Sequence, residues 1–146
     1  MKRLALVLVA LLVAGGVFAQ PTQNAATEAM AAFIAEASQA GWLQIGPAEA
    51  FDFIEQVEPF VLDVRRQDEF DAGHVEGAVL IPLAQLDGRI AELPQDLNAP
   101  FLVYCAVGIR GNFGLTYLKF LGYTNVRNIR GGFGAWTAAE LPAAMP

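Results

Sequence analysis

A cysteine and an arginine that follow a short apolar run are the residues of this sequence best placed to do chemistry. Cys105 comes directly after the run Phe101–Tyr104, and Arg110 follows five residues later with Gly108 between them. A run of this kind predicts a buried strand, which would place the thiol at its carboxyl end. A loop that leads from there into a helix directs backbone N–H groups inward, where they attract an anion. The segment therefore predicts a reactive thiol beside a binding site for a thiolate or an anionic group.

The scarcity of other reactive side chains excludes several chemistries. Cys105 and His74 are the only cysteine and the only histidine among 146 residues. They cannot form a zinc site without several carboxylates, so we expect no bound metal. No intramolecular disulfide is possible, and the only serine, Ser38, lies in an alanine-rich stretch that does not suit a catalytic triad. A Cys–His dyad for acyl transfer, with His74 as general base, is an alternative to be tested.

Residues 1–19 have the pattern of a secretory signal peptide. Lys2 and Arg3 precede an unbroken apolar run at residues 4–14, and the small residues Val17 and Ala19 stand before the predicted cut. The apolar stretch is shorter than the roughly 20 residues that span a bilayer, which favours cleavage over a permanent anchor. We therefore expect a periplasmic or secreted protein with no stable membrane insertion after cleavage.

The charge of the processed chain bears on its partners. The full sequence has a formal net charge of −6. Loss of the two basic residues of the signal peptide would leave seven basic against fifteen acidic side chains, a net charge of −8. An acidic protein without a basic run is poorly suited to nucleic acid or to an anionic membrane surface. We expect no nucleic-acid partner.

Apolar runs that alternate with helical patterns predict an α/β fold with a parallel sheet covered on both faces. Residues 20–40 predict a short helix or a partly ordered lead-in, followed by one domain at residues 41–142. The predicted strands occupy residues 42–45, 60–64, 78–81, 101–104 and 126–129. One predicted helix begins at Pro47, and a second covers residues 83–93. A third begins near Gly111 or Asn112 and ends at Gly122, and a fourth covers residues 132–139. Ligands of such sheets bind beyond the carboxyl ends of the strands, which is where Cys105 stands.

Four blocks of the sequence carry a family resemblance. They are Leu62-Asp63-Val64-Arg65 with Glu69-Phe70, Gly73-His74-Val75-Glu76-Gly77-Ala78 with Ile81-Pro82, the loop from Cys105 to Arg110, and Gly122-Tyr123 with Arg130-Gly131-Gly132-Phe133 and Trp136. In this order they are similar to the signatures of the rhodanese family. The chain resembles a single-domain rhodanese from about residue 42 to residue 141.

This resemblance implies a rhodanese-like three-layer fold, with a five-stranded parallel sheet of order 1-5-4-2-3, and sulfur transfer without a metal or organic cofactor. Cys105 would attack a sulfane sulfur, carry it as a persulfide, and pass it to a thiol or to cyanide. The backbone amides of the loop would cradle the persulfide. Arg110 would bind the donor together with the rest of the loop, which consists of Ala106, Val107, Gly108, Ile109 and Gly111.

The resemblance also gives roles to residues outside the loop. Asp63 and Arg65 would form a supporting pair at a strand end, and His74 would orient the next strand rather than take part in catalysis. Beyond a small sulfur donor and its acceptor, a partner protein that accepts the sulfur is a further expectation.

Departures from the family pattern bear on the substrate. Loops that handle thiosulfate often carry a basic or polar side chain where this chain has Ala106, Val107 and Ile109. We therefore favour a less charged donor, such as a persulfide, over thiosulfate. Gly111 also stands where a small hydroxyl residue or alanine is common, which weakens the start of the helix.

Two other functions are compatible with the same fold. A phosphatase or arsenate reductase would have one residue more between cysteine and arginine than the four found here, and the shorter loop contracts the ring of amides toward the size of a sulfur atom. A noncatalytic binding or sulfur-carrier module is the other alternative. It would tolerate the loss of Cys105 without losing its partner.

Overall fold

The computed structural model describes residues 24–145, so the predicted signal peptide lies outside the described residues. Five helices are described, namely α1 Ala25–Gln39, α2 Pro47–Val57, α3 Gln67–Asp71, α4 Ile109–Phe120 and α5 Gly132–Ala138. The strands of the same range are β1 Gln44–Ile45, β2 Phe60–Asp63, β3 His74–Val75, β4 Val79–Leu80, β5 Phe101–Tyr104, β6 Val126–Ile129 and β7 Ala143–Ala144. Short 3-10 turns cover Gly41–Leu43, Leu83–Gln85 and Asp87–Glu92.

Five of these strands form one parallel sheet in the order β1-β6-β5-β2-β4. The central position belongs to β5, whose apolar side chains are all buried. Such continuous burial requires cover on both faces of the sheet, which explains why this strand reads as an unbroken apolar run. The predicted α/β class with a parallel central sheet is confirmed.

The two faces of the sheet build two separate hydrophobic clusters, because side chains alternate along a strand. On one face Leu62 and Val103 pack with Leu115 and Leu118 of α4. On the other face the neighbouring positions Val61, Leu102 and Tyr104 pack with Phe53 of α2 and Trp136 of α5. These clusters fix α4 and α5 on opposite faces of the sheet. Both helices begin near the carboxyl end of β5, because α4 follows the short loop after Cys105 and the Phe133 amide of α5 donates to the Cys105 carbonyl oxygen.

The first helix of the described range packs on the outside of α4. Asn24 caps α1, because its side-chain oxygen accepts a hydrogen bond from the Thr27 amide and its own amide donates to Oγ1 of Thr27. The rings of Phe33 and Phe120 meet edge to face with centroids 6.0 Å apart.

In the part of the chain that the structure describes, no helix has both the length and the apolar composition that a membrane crossing needs.

The structure differs from the predicted elements at three places. The strand predicted at residues 42–45 is shortened to Gln44–Ile45, because Gly41–Leu43 form a 3-10 turn. Residues 83–93 form 3-10 turns at Leu83–Gln85 and Asp87–Glu92 instead of one α-helix, and the backbone leaves helical geometry inside the second of them, at Arg89, with φ −122° and ψ 19°. The helix after Cys105 begins at Ile109 rather than near Gly111 or Asn112, because Gly108 caps it in a left-handed conformation. Its end agrees with the prediction, with Gly122 at φ +99° just beyond the last turn.

Three small elements, one helix and two strands, were not predicted. The short helix α3 follows the turn after β2, and β3 pairs antiparallel with β7, bringing His74 opposite Ala144. Each of these strands has only two residues, too few for a period of alternation to be recognised.

Candidate active site

The loop that follows β5 closes back over the cysteine. Cys105 is fully buried, and its Sγ accepts a hydrogen bond from the backbone N–H of Gly108 at 3.1 Å. Gly108 adopts φ +93°, a conformation that only glycine reaches without strain, and α4 begins at the next residue. This turn aims an amide at the sulfur and places the thiol beside the start of α4.

The start of α5 supports the loop from the other side. The amides of Phe133 and Gly134 donate to the carbonyl oxygens of Cys105 and Ala106, at 2.7 and 2.9 Å. Gly132 has φ +60°, and a Cβ there would overlap the Cys105 carbonyl oxygen and lie 2.7 Å from the Ala106 carbonyl carbon. The backbone of residues 105–106 is therefore held by contacts that require a glycine at position 132.

Asn128, a buried residue of β6, ties the loop to the sheet. Its Nδ2 donates to the Gly108 carbonyl oxygen at 3.1 Å and to Oδ1 of Asn112 at 2.6 Å. A Cβ at Gly111 would overlap Oδ1 of Asn128. This contact explains the glycine at position 111, which the sequence alone marks only as a weak helix start. Sequence reasoning missed Asn128, and the available signal was an amide next to the apolar residue Ile129 near the end of a predicted strand.

Arg110 lies between the loop and α3. Its Nη1 and Nη2 donate to Oε2 and Oε1 of Glu69 at 2.8 and 2.6 Å, and both side chains are partly buried. The hydrogen bond from Arg110 lowers the pKa of Glu69 to about 2. The same bond raises the pKa of Arg110, and the neighbouring Cys105 thiol adds to that effect. A carboxylate from α3 thus holds Arg110 in place at the end of the loop that follows Cys105.

Asp63 and Arg65 form a buried ion pair at the end of β2. The Arg65 Nη2 donates to Asp63 Oδ2 at 2.7 Å and to the Gly73 carbonyl oxygen at 2.8 Å. The guanidinium also lies over the ring of Phe133, 4.4 Å from its centroid. This pair joins β2 to the turn before β3 and to α5. Through Phe133, the pair contacts the helix whose first amides donate to the loop.

The comparisons with known proteins agree with this geometry. The sequence profile of the rhodanese-like domain matches residues 47–139, well over half of the chain. The chain belongs to the rhodanese-like domain family. The match includes Glu69, Cys105, Arg110 and Asn128, and therefore the whole of the site described above.

Individual rhodanese-like relatives match over part of their length. The chain is 38% identical over 76 residues to "Uncharacterized protein YqhL" of Bacillus subtilis, covering 52% of this chain and 59% of YqhL. It is 30% identical over 95 residues to "Thiosulfate sulfurtransferase GlpE" of Coxiella burnetii, covering 65% of this chain and 87% of GlpE. The crystal structure of a rhodanese-related protein from Thermoplasma volcanium superposes with a TM-score of 0.63 at 27% identity, covering 70% of this chain and 98% of that one.

Within this rhodanese-like domain, His74 is occupied by contacts with its own neighbourhood. Its ring stacks on Phe70 with centroids 3.7 Å apart, and its Nδ1 lies 3.0 Å from the Phe70 carbonyl oxygen. Both contacts fix the turn between α3 and β3. They favour the structural role for His74 over a dyad with Cys105.

The side chains of the rhodanese loop divide into an inner and an outer set. Gly108 and Gly111 belong to the inner set, because a Cβ at these positions would point at the backbone of Gly131 and at the side chain of Asn128, respectively. Ala106 is half-buried, whereas Val107 and Ile109 are 64% and 63% exposed. The exposed side chains of the loop that follows the buried thiol are therefore apolar.

Proposed function

We propose that this protein is a sulfurtransferase in which Cys105 carries the transferred sulfur as a persulfide. The observation that carries this proposal is the hydrogen bond from the Gly108 amide to Sγ of Cys105, at 3.1 Å, inside a loop that leads into a helix. An N–H aimed at sulfur stabilises the negative charge that the thiolate, and afterwards the persulfide, must bear. The rhodanese-like family and the relative named a thiosulfate sulfurtransferase support the same chemistry.

Each half of the proposed reaction is a displacement at sulfur. The Cys105 thiolate attacks the outer sulfur of a sulfane donor, such as thiosulfate or a persulfide, and forms a new S–S bond. The bond between that sulfur and the rest of the donor breaks, and the leaving group departs as sulfite or as a thiolate with the electron pair. A thiol or cyanide then attacks the outer sulfur of the persulfide and restores the Cys105 thiolate.

Arg110 would act by its charge and by its position. Because Glu69 holds its guanidinium through two hydrogen bonds, Arg110 stays next to the cysteine without a large entropy loss when a donor arrives. Its charge favours the anionic sulfur species of both half-reactions. The role we assign to Arg110 is therefore to stabilise the sulfur anion within a fixed frame.

One observation favours a second candidate, a noncatalytic binding or sulfur-carrier module. Cys105 is fully buried in the described structure, as a structural cysteine would be. The two functions differ in what the cysteine must do, because a binding module keeps its partner when the thiol is removed.

We also propose that the protein is exported, on the signal-peptide pattern of residues 1–19. It would then meet its sulfur donor, and its acceptor thiol or acceptor protein, in the periplasm or outside the cell. The test is the mass and amino-terminal sequence of the protein recovered from that compartment. Loss of residues 1–19 is expected, and a full-length chain retained in the cytoplasm would contradict the proposal.

The activity is tested by turnover with a sulfane donor and cyanide, measured as thiocyanate formation. Cys105→Ala is expected to abolish turnover and to leave the cooperative unfolding transition in place. The control is Ser38→Ala, which removes another small polar group at an exposed position of α1. Turnover by Cys105→Ala close to that of the wild type would overturn the proposed function.

A further inference from the structure

We infer that the preferred sulfur donor is an organic persulfide, R–S–S–H, whose carbon substituent R is apolar and binds to a rim of three side chains beside the thiol. The rim consists of Val107, Ile109 and Phe113. The inference rests on the proposed sulfur transfer and adds the chemical class of its substrate.

The rim is exposed although its side chains are large and apolar. Val107, Ile109 and Phe113 are 64%, 63% and 63% exposed. Val107 belongs to the loop that closes over Cys105, Ile109 begins α4, and Phe113 lies one turn further on the same side of that helix. Clustered exposed apolar side chains mark a binding surface, and here the cluster borders a reactive group.

The rim continues into a groove that is large enough for a short carbon chain. The groove has a volume of about 180 Å³, and its lining is Leu83, Leu86, Asp87, Phe113 and Tyr117. Phe113 is thus shared between the rim and the groove. A substituent that extends from the sulfur past Ile109 would reach this groove along apolar surface.

The charges near the loop favour a donor with little negative charge. Arg110 is paired with Glu69, Arg65 with Asp63, and Arg66 with Asp68. A further cation, Arg130, follows β6 at the same edge, but it is exposed, so water and salt screen its charge. Thiosulfate is a dianion, and its approach to a thiolate brings like charges together where each of the nearest cations is paired with a carboxylate that offsets part of its charge. A persulfide carries at most one negative charge, so it meets less of this repulsion.

The sulfur step with this donor balances without any other reactant. The Cys105 thiolate attacks the outer sulfur of R–S–S–H, and that sulfur joins Sγ together with its proton. The S–S bond of the donor breaks, and R–S⁻ leaves with the electron pair. The number of S–S bonds is unchanged, so neither an oxidant nor a reductant is required.

A series of alkyl persulfides from methyl to hexyl, with cyanide as the common acceptor and thiosulfate as the reference donor, tests the inference. For the wild type we expect kcat/KM to rise about twofold for each added methylene, since about half of the full effect of burying a CH₂ group is available on a partly open surface. Phe113→Ala should reduce this dependence on chain length. Phe120→Ala removes a phenylalanine two turns along the same helix and serves as the matched control. Its kcat/KM should depend on chain length as that of the wild type does.

The possible outcomes separate the inference from the function on which it rests. A kcat/KM that does not change with chain length, or the same dependence in Phe113→Ala as in the wild type, would overturn the apolar donor. Thiosulfate used faster than every alkyl persulfide would also overturn it, and would leave sulfur transfer standing. No transfer from any donor would overturn the proposed function and this inference together.

Discussion

Arg110 and Glu69 are joined by two hydrogen bonds of 2.8 and 2.6 Å although they lie 41 residues apart in the sequence. The arginine that the sequence places in the sulfur site is therefore also the residue that fixes α3 to the loop. Its partner carboxylate is 19% exposed and the arginine 31%, so the pair is shielded from solvent only in part.

The first prediction concerns the coupling of this pair. Arg110→Ala should lower kcat/KM for sulfur transfer by about tenfold or more, because a charge next to the sulfur anion is lost. Glu69→Gln should lower kcat/KM by less, because it weakens the hydrogen bonds that position the arginine but leaves its charge in place. In a double-mutant cycle of unfolding free energies we expect a coupling of about 1 kcal/mol. Additive effects on both turnover and stability would contradict the positioning role of Glu69.

The second prediction is a pH dependence of stability that comes from Glu69. Its pKa in the folded protein is about 2, below its ordinary value of 4.5. A depressed pKa means that the folded state binds fewer protons than the unfolded state, so the stabilisation is complete above pH 4.5 and is lost as the pH falls toward 2. The free energy of unfolding, measured with denaturant, should therefore fall more for the wild type than for Glu69→Gln as the pH is lowered through this window.

A matched control for this titration is Glu55→Gln, at an exposed position of α2. Its unfolding free energy should follow the pH profile of the wild type. An identical profile for Glu69→Gln and the wild type would show that the ion pair adds nothing to stability.

The third prediction separates backbone strain from the function of the loop amide. Gly108 has φ +93° and Gly77 has φ +76°, and a Cβ at Gly77 would meet open space. Both Gly108→Ala and Gly77→Ala should cost about 1–3 kcal/mol of unfolding free energy, because alanine is strained in this conformation. Only Gly108→Ala should also reduce turnover at a temperature where both variants are folded, since its amide faces Sγ. Equal turnover of the two variants would assign Gly108 a purely structural role.

The fourth prediction is that replacing Gly111 by alanine lowers the free energy of unfolding, although the same change within a helix normally raises it. Alanine is normally the better helix former by roughly 1 kcal/mol, but at position 111 its Cβ would overlap Oδ1 of Asn128. Gly111→Ala should therefore destabilise the wild-type protein by about 1–3 kcal/mol, the usual cost of overpacking. In the Asn128→Ala background the same change should be neutral or stabilising. Denaturant unfolding of the four proteins measures this, and a destabilisation of equal size in both backgrounds would contradict the contact.

The central part of the fold and the thiol could be predicted because the information is local. A buried strand, its following loop and the next helix are consecutive in the chain, so the run Phe101–Tyr104 and the spacing to Arg110 suffice to place Cys105 at a strand end. The start of α4 was predicted two residues late because the left-handed turn at Gly108 depends on its contacts with β6 and the start of α5.

Other features depend on residues that are distant in the sequence. Glu69 and Asn128 reach the loop from α3 and β6, and no local pattern links either of them to Arg110 or Gly108. The break at Arg89 likewise lies within a stretch whose apolar residues keep a helical spacing, so periodicity alone cannot detect it. The predicted signal peptide stays a prediction, because it lies outside the described residues.

The most direct test of the sulfur-carrier role of Cys105 is the intact mass of the protein after treatment with a sulfane donor. We predict a gain of about 32 Da that maps to Cys105, disappears on addition of cyanide, and is absent from Cys105→Ala. Both thiosulfate and an alkyl persulfide should be tried as donors. A wild-type protein whose mass stays unchanged with both donors would contradict the account.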